Sequence, residues 1–271
     1  MLLDGSRESS NIDDRRGSGG GRIVGGGLGT LVLALVAMYF GVDPRAVIPT
    51  GNTNSNKPLT AQDAREKQFV SKVLASTEDV WHKLVPSYSD PTLVLFRGAT
   101  ESACGRASAS VGPFYCGEDR KVYIDLDFYK ELTQKIGAPG DFAEAYVIAH
   151  EVGHHVQNEL GTLNRVHSLM QRAGETQRNQ LSVRLELQAD YYAGVWAHYA
   201  RDKGLLEVGD IEEGLGAASA VGDDKLQKEG QGYVVPDSFT HGTSEQRVRW
   251  FKKGLDSGDP RQGDTFSTND L

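Results

Sequence analysis

Two histidines four positions apart, with a glutamate directly after the first, place the tightest constraint on this chain. They stand at His150-Glu151-Val152-Gly153-His154, an H-E-x-x-H. Phe142, Ala145, Tyr146, Ala149, Gly153 and Val156 recur around them at helical spacing, which predicts a long helix with one apolar face. Pro139-Gly140 breaks the chain ahead of it, Asp141 with Glu144 forms a D-x-x-E capping pair, and Gly161 is placed to end the run. Four residues is slightly more than one helical turn, so both imidazoles leave the same face and can close on one metal ion. Glu151 lies one step around the helix, beside such an ion, where it can take a proton from water. A pair of solvated surface histidines is the plainer reading. It leaves Ala149 and Gly153 unexplained, since small residues beside the pair let another element come close.

Two imidazoles alone do not make a catalytic zinc site, which needs a third protein ligand and an open position for water. The next helical run carries Leu181, Leu185, Tyr192, Val195, Trp196 and Tyr199 and stops near Gly204. On it Glu186 and Asp190 are one turn apart and share a face among apolar neighbours. Carboxylates in that setting must be paired or metal-bound, because burying them bare is costly. Glu186 can therefore be the third ligand, while Asp190 accepts a hydrogen bond from the far nitrogen of a metal-binding histidine. The alternative is a solvated acidic pair. A third histidine ligand shortly after the first two is excluded, since His155 is adjacent and His167 is off spacing.

The remainder of the chain supports one sizeable domain of the α+β class. Its 271 residues include 38% apolar and 24% charged, ordinary values for a soluble fold. A formal charge of −8 argues against a nucleic-acid partner. Thr60 can cap a helix carrying Phe69, Val73, Leu74, Val80, Trp81 and Leu84. Strand signals follow at Thr92–Phe96, at 112–116 and at 121–124, and Pro113 confines the second to a sheet edge. Shorter helices are expected at Asp210–Ala220 and at 246–254, the latter capped by Ser244. These elements predict a small, mostly antiparallel sheet packed on two long helices that carry the site.

Between Ile23 and Val42 there is no charged residue, and Arg22 and Asp43 bracket the stretch. That is close to the ~20 residues needed to cross a bilayer as one helix. A cleaved signal peptide fits less well, because the charged segment ahead is long and the residues after it make a poor cleavage site, and a buried core helix is the plainer alternative. The reading is then a disordered tail (1–22), a transmembrane anchor (23–42), a linker (43–59) and a folded domain (60–271). Arg7, Arg15, Arg16 and Arg22 precede the anchor, so the positive-inside rule leaves the amino terminus in the cytoplasm and exports the domain. Cys104 and Cys116 are the only cysteines and cannot form a thiolate metal site by themselves. Export favours a disulfide between them over two separate buried thiols.

The segments AHEVGHHVQNELG and RLELQADYYAGVWA resemble the neutral zinc metallopeptidase family of bacterial membrane-anchored proteins. The likeness extends to ACG, GPFYC, VYIDLDF, VGDDKLQ and HGTSEQRVRWF, and to an amino-terminal R-x-S-x-N-x-x-D-R-R-G. More distantly, H-E-x-x-H with a downstream E-x-x-x-D is similar to the gluzincin peptidases. The resemblance implies a zincin-like fold and Zn2+ held by His150, His154 and Glu186. It makes Glu151 the general base and sets Asp190 behind a ligand. It also implies a protein or peptide substrate and a single-pass protein of the bacterial cell membrane with its catalytic domain outside the cytoplasm. His241, in a Thr-His-Gly-Thr turn, resembles the late histidine that gluzincins aim at the substrate oxyanion; a capping or core histidine is the alternative. The rival functions are a non-catalytic zinc-binding scaffold of the envelope and a zinc hydrolase of non-peptide amides.

Overall fold

Leu93, Val94, Leu95 and Phe96 are all but inaccessible to solvent, which makes β2 (Thr92–Phe96) the spine of the main sheet. The computed structural model describes residues 1–16, 59–108, 112–126 and 140–271. On one side of β2 runs β1 (Ile12–Asp14), in parallel, with Ile12 opposite Leu93. The other side pairs in parallel with β6 (Lys121–Asp125), and β5 (Phe114–Cys116) runs antiparallel to β6 at the far edge. Between β2 and β6 lies a separate hairpin of β3 (Ala99–Ser102) and β4 (Gly105–Ser108). The sheet is therefore mixed with mainly parallel pairing, against the expectation of an antiparallel one. The hairpin and β5 carry the chain back to its starting end, so β6 must run alongside β2 in the same direction. A strand buried on both faces is what parallel pairing requires. β5 begins directly after Pro113 and stands at the edge, as that proline demands. A disulfide joins Cys104, in the hairpin turn, to Cys116 on β5.

Residues 1–16 correct the expectation of disorder. Met1 and Leu3 are buried in the main core. Ser9 exchanges hydrogen bonds with Ser71 on α1 (Ala61–Leu84): its amide donates to the Ser71 carbonyl at 3.1 Å, and the Ser71 hydroxyl donates to its carbonyl at 3.0 Å. The polar composition suggested a solvated tail, but Arg7, Ser9 and Asn11 all find side-chain partners on α1. The anchor read at 23–42 and most of the linker lie outside the described residues. Among the described residues no helix is long and apolar enough to cross a membrane.

The helices follow the sequence closely, although two caps differ. Thr60 and Asp63 form a reciprocal capping box on α1. The first site helix, α2 (Asp141–Glu159), starts from Gly140 without a side-chain cap. Asp141 instead receives the Met1 ammonium at 2.8 Å, so the D-x-x-E pair is not a cap. After α3 (Thr162–Met170) comes the second site helix, α4 (Glu175–Asp202), followed by α5 (Asp210–Ala220) and α6 (Asp223–Gln231). The last helix, α7 (Ser244–Ser257), is capped by a Thr243–Gln246 box rather than by Ser244. The Ser244 hydroxyl turns away to the Ser219 carbonyl.

α7 lies along α4 at a distance that only glycine permits. A Cβ on Gly194 would fall 2.0 Å from the Phe251 carbonyl oxygen, and one on Gly254 would fall 2.0 Å from the Tyr191 carbonyl oxygen. Gly194→Ala should therefore force α7 away and lower stability by about 2 kcal/mol or more. Gly216→Ala is the control. Its helical position has open space around it, so the change should be neutral or stabilise by up to about 1 kcal/mol. Urea unfolding of the two variants checks both; equal midpoints would refute the close-contact argument.

Candidate metal centre

Helix α2 presents His150 and His154 from one face, and α4 brings Glu186 opposite them. Their donor atoms all lie within 4.8 Å of one another. His150 Nε2 is 3.2 Å from Glu186 Oε2, and His154 Nε2 is 3.5 Å from Glu186 Oε1. The approach of the two helices depends on Gly153, where a Cβ would sit 2.9 Å from the Ala189 carbonyl oxygen. Two imidazole nitrogens and one carboxylate oxygen are the donor set of a catalytic zinc site with a position left open. The residues present fit a zinc ion.

The outer nitrogen of each histidine is held as well. His150 Nδ1 lies 2.9 Å from Asp190 Oδ1, and His154 Nδ1 lies 2.9 Å from Gln157 Oε1. With Nδ1–H donating outward in both rings, each Nε2 is turned toward the site, where a bound metal would take the place of its proton. Gln157 is itself fixed, since its amide donates to the Leu185 carbonyl at 2.7 Å. Sequence reading missed Gln157. Its only signal was a polar residue three positions after a ligand on the buried face of a helix.

Asp190 is the hub of this layer. The Arg247 guanidinium, from α7, donates to both of its oxygens at 2.8 and 3.0 Å, and the Tyr146 hydroxyl donates at 2.5 Å. Burial would raise the Asp190 carboxyl, but Arg247 and His150 hold it down to about 2. Burial would lower His150, yet Asp190 and Glu186 push it up to about 10. Glu186 lies well below its ordinary range, because His154 and His150 outweigh the effect of burial. Arg247 was also missed by sequence reading. Nothing in its local spacing connects it to Asp190, 57 positions earlier, or to Tyr146, 101 positions earlier.

Glu151 is buried beside the ligands, and burial raises its carboxyl against the opposing pull of His150 and His154. His241 is not among the converging donors. Its ring Nδ1 lies 3.2 Å from Asp223 Oδ1, at the start of α6. Asp223 Oδ2 accepts the backbone amides of Thr240, His241 and Gly242 at 2.7, 2.6 and 3.0 Å, which fixes the whole turn. Hydrogen bonding to Asp223 and the nearby Glu186 charge raise His241, while burial opposes them. His155 is a packing residue, held between the Ser89 carbonyl and the Tyr115 hydroxyl. A second acidic cluster, Asp141, Asp210 and Glu213, meets the Met1 ammonium instead of a further histidine.

Comparison with known proteins gives a consistent picture. The family described as "Putative neutral zinc metallopeptidase" matches residues 1–266. The chain is 50% identical to the uncharacterised protein YpfJ of Escherichia coli K12, over 98% of this chain and 99% of that one. It is 42% identical to an uncharacterised protein of Mycobacterium tuberculosis H37Rv, over 87% of this chain and 86% of the other. No solved structure matches.

Two measurements test the geometry. Glu186→Ala and His150→Ala should each empty the site, whereas Asp190→Asn should still bind zinc at saturating metal with affinity about 10- to 100-fold weaker. Zinc titration decides this, and full occupancy in Glu186→Ala with an empty Asp190→Asn would reverse the two roles. Arg247→Met leaves Asp190 buried without its main counter-charge and should cost about 3–5 kcal/mol in stability. A change under 1 kcal/mol by urea unfolding would show that Arg247 is not holding that charge.

Proposed function

The chain belongs to the neutral zinc metallopeptidase family, and from its centre we propose that it hydrolyses peptide bonds with Zn2+ held by His150, His154 and Glu186. The observation that carries this reading is a complete donor set with Glu151 buried beside it. The bound ion would make water more acidic and polarise the scissile carbonyl. Glu151 takes the proton of the water as it attacks the carbonyl carbon, and delivers it to the amine nitrogen when the C–N bond breaks. The upward push of burial on Glu151 brings its basicity closer to neutral pH, which suits both halves of that transfer. His241, oriented by Asp223, supplies a hydrogen-bond donor to the developing oxyanion.

The same helix pair supports a zincin-like reading of the fold. The Cys104–Cys116 disulfide supports an oxidising, extracytoplasmic compartment for the domain. The apolar Ile23–Val42 would attach it to the bacterial cell membrane. A scaffold that merely holds zinc has no use for a buried carboxylate at position 151, and this favours the enzyme.

Glu151→Gln keeps the shape and removes the base. Zinc content should stay at one ion per chain-equivalent of sites, while cleavage of a peptide library should fall by about 10²–10⁴. Chelation of the wild-type protein should abolish cleavage, and added zinc should restore it. Loss of zinc from Glu151→Gln would make Glu151 a ligand. Unchanged cleavage would place the chemistry elsewhere.

A further inference from the structure

The geometry points to Met1–Arg15 and Thr60–Leu271 lying on the same side of the membrane. The two stretches form one folded unit. β1 is joined to β2 by main-chain bonds: the Leu93 amide donates to the Asn11 carbonyl and the Arg15 amide to the Leu95 carbonyl, both at 2.8 Å. Glu78, buried on α1, accepts the Ser9 hydroxyl at 2.5 Å and the Asn11 side-chain amide at 2.9 Å, and pairs with Arg7 at 2.9 Å. Without the amino-terminal segment that carboxylate would lose the partners that justify its burial. Met1 and Leu3 fill the core, and the Leu2 amide donates to the Leu205 carbonyl at 2.8 Å. The segment is thus an integral strand and core element of the domain.

The sequence between these stretches has one uncharged run of membrane-crossing length, Ile23 to Val42; the only other sizeable one, Ala46 to Asn56, is shorter and largely polar. One crossing needs about 20 apolar residues and two need about 40. A single crossing would put Met1–Arg15 and the domain on opposite faces of the bilayer, where β1 could not pair with β2. The run is too short for two crossings. The flanks consequently share a side, and the cytoplasmic placement of the amino terminus read from its arginines is reversed for an extracytoplasmic domain. Those arginines mislead for a physical reason. Arg7 is paired with Glu78 and Asp79, and Arg15 with Asp13, so their charge is neutralised inside the fold instead of standing free to hold the tail in the cytoplasm.

The test uses the full-length protein in its membrane, with a single reporter cysteine at either of two exposed positions, Asp4→Cys or Glu229→Cys. The native cysteines are paired and stay unlabelled without reductant. Intact spheroplasts are treated with a membrane-impermeant maleimide before and after detergent. Both positions should label to the same extent before lysis. Labelling of Glu229→Cys before lysis with Asp4→Cys labelling only after it would overturn the inference. If both label only after lysis, the shared side stands, and the extracytoplasmic placement of the domain given above fails instead.

Discussion

The contact on which the rest of the structure depends is the close crossing of α2 and α4 at Gly153 and Ala189. Any side chain at position 153 would meet the Ala189 backbone, so the helices would have to separate. Ala189 lies immediately before Asp190 and one turn after Leu185, so the same crossing sets the height of Glu186 against the two histidines. A metal site here would need its donors placed to within about half an ångström, and helices in direct backbone contact supply that precision better than loops. The glycine contacts between α4 and α7 extend this arrangement by one layer, and through them Arg247 reaches Asp190.

The charges in this layer explain why a third helix is needed. Asp190 and Glu186 both sit among apolar side chains of α4, and burying an unpaired carboxylate would cost several kcal/mol. Glu186 is compensated by the histidines it faces. Asp190 has only one ring nitrogen to accept from on α2, and Arg247 with Tyr146 supplies the remainder. This ion pair has a chemical consequence. Asp190 already shares its charge with a guanidinium, so it orients the His150 ring without drawing the Nδ1 proton fully to itself. A metal bound at Nε2 would displace the proton that the raised His150 otherwise keeps there, while the Nδ1–H bond to Asp190 holds the ring in place.

What the sequence disclosed, and what it hid, divides along the same physical line. His150, His154, Glu186 and Asp190 were legible because helical spacing alone decides which residues share a face. The end of α4, the span of α5 and the edge position of β5 were legible for similarly local reasons. Gln157, Arg247 and Asp223 were not, since each acts through a contact set by tertiary packing. The direction of the sheet was misread for want of weight on Leu93-Val94-Leu95-Phe96, a continuous apolar run that signals burial on both faces and hence parallel neighbours. Residues 1–16 were misread because composition measures average solvation. Ser9, Asn11 and Arg7 look like solvated side chains until Glu78 is seen behind them.

The disulfide and the metal centre are linked by a short chain of contacts. Cys116 ends β5, and Tyr115 beside it places its hydroxyl 3.0 Å from His155 Nδ1. His155 Nε2–H donates to the Ser89 carbonyl at 2.6 Å, which leaves Nδ1 to accept from the tyrosine. Burial lowers the pKa of His155, in keeping with the neutral ring that this pattern demands. His155 directly follows His154, so the backbone carrying a candidate metal ligand is braced by an edge strand whose end is fixed by a covalent bond. Among the described residues the short β5 pairs only with β6, and three residues of pairing hold a strand weakly. The bond to Cys104 restricts how far that strand can stray when unpaired, and so keeps Tyr115 within reach of His155. The Cys104–Cys116 bond is in this sense part of what steadies the H-E-x-x-H helix.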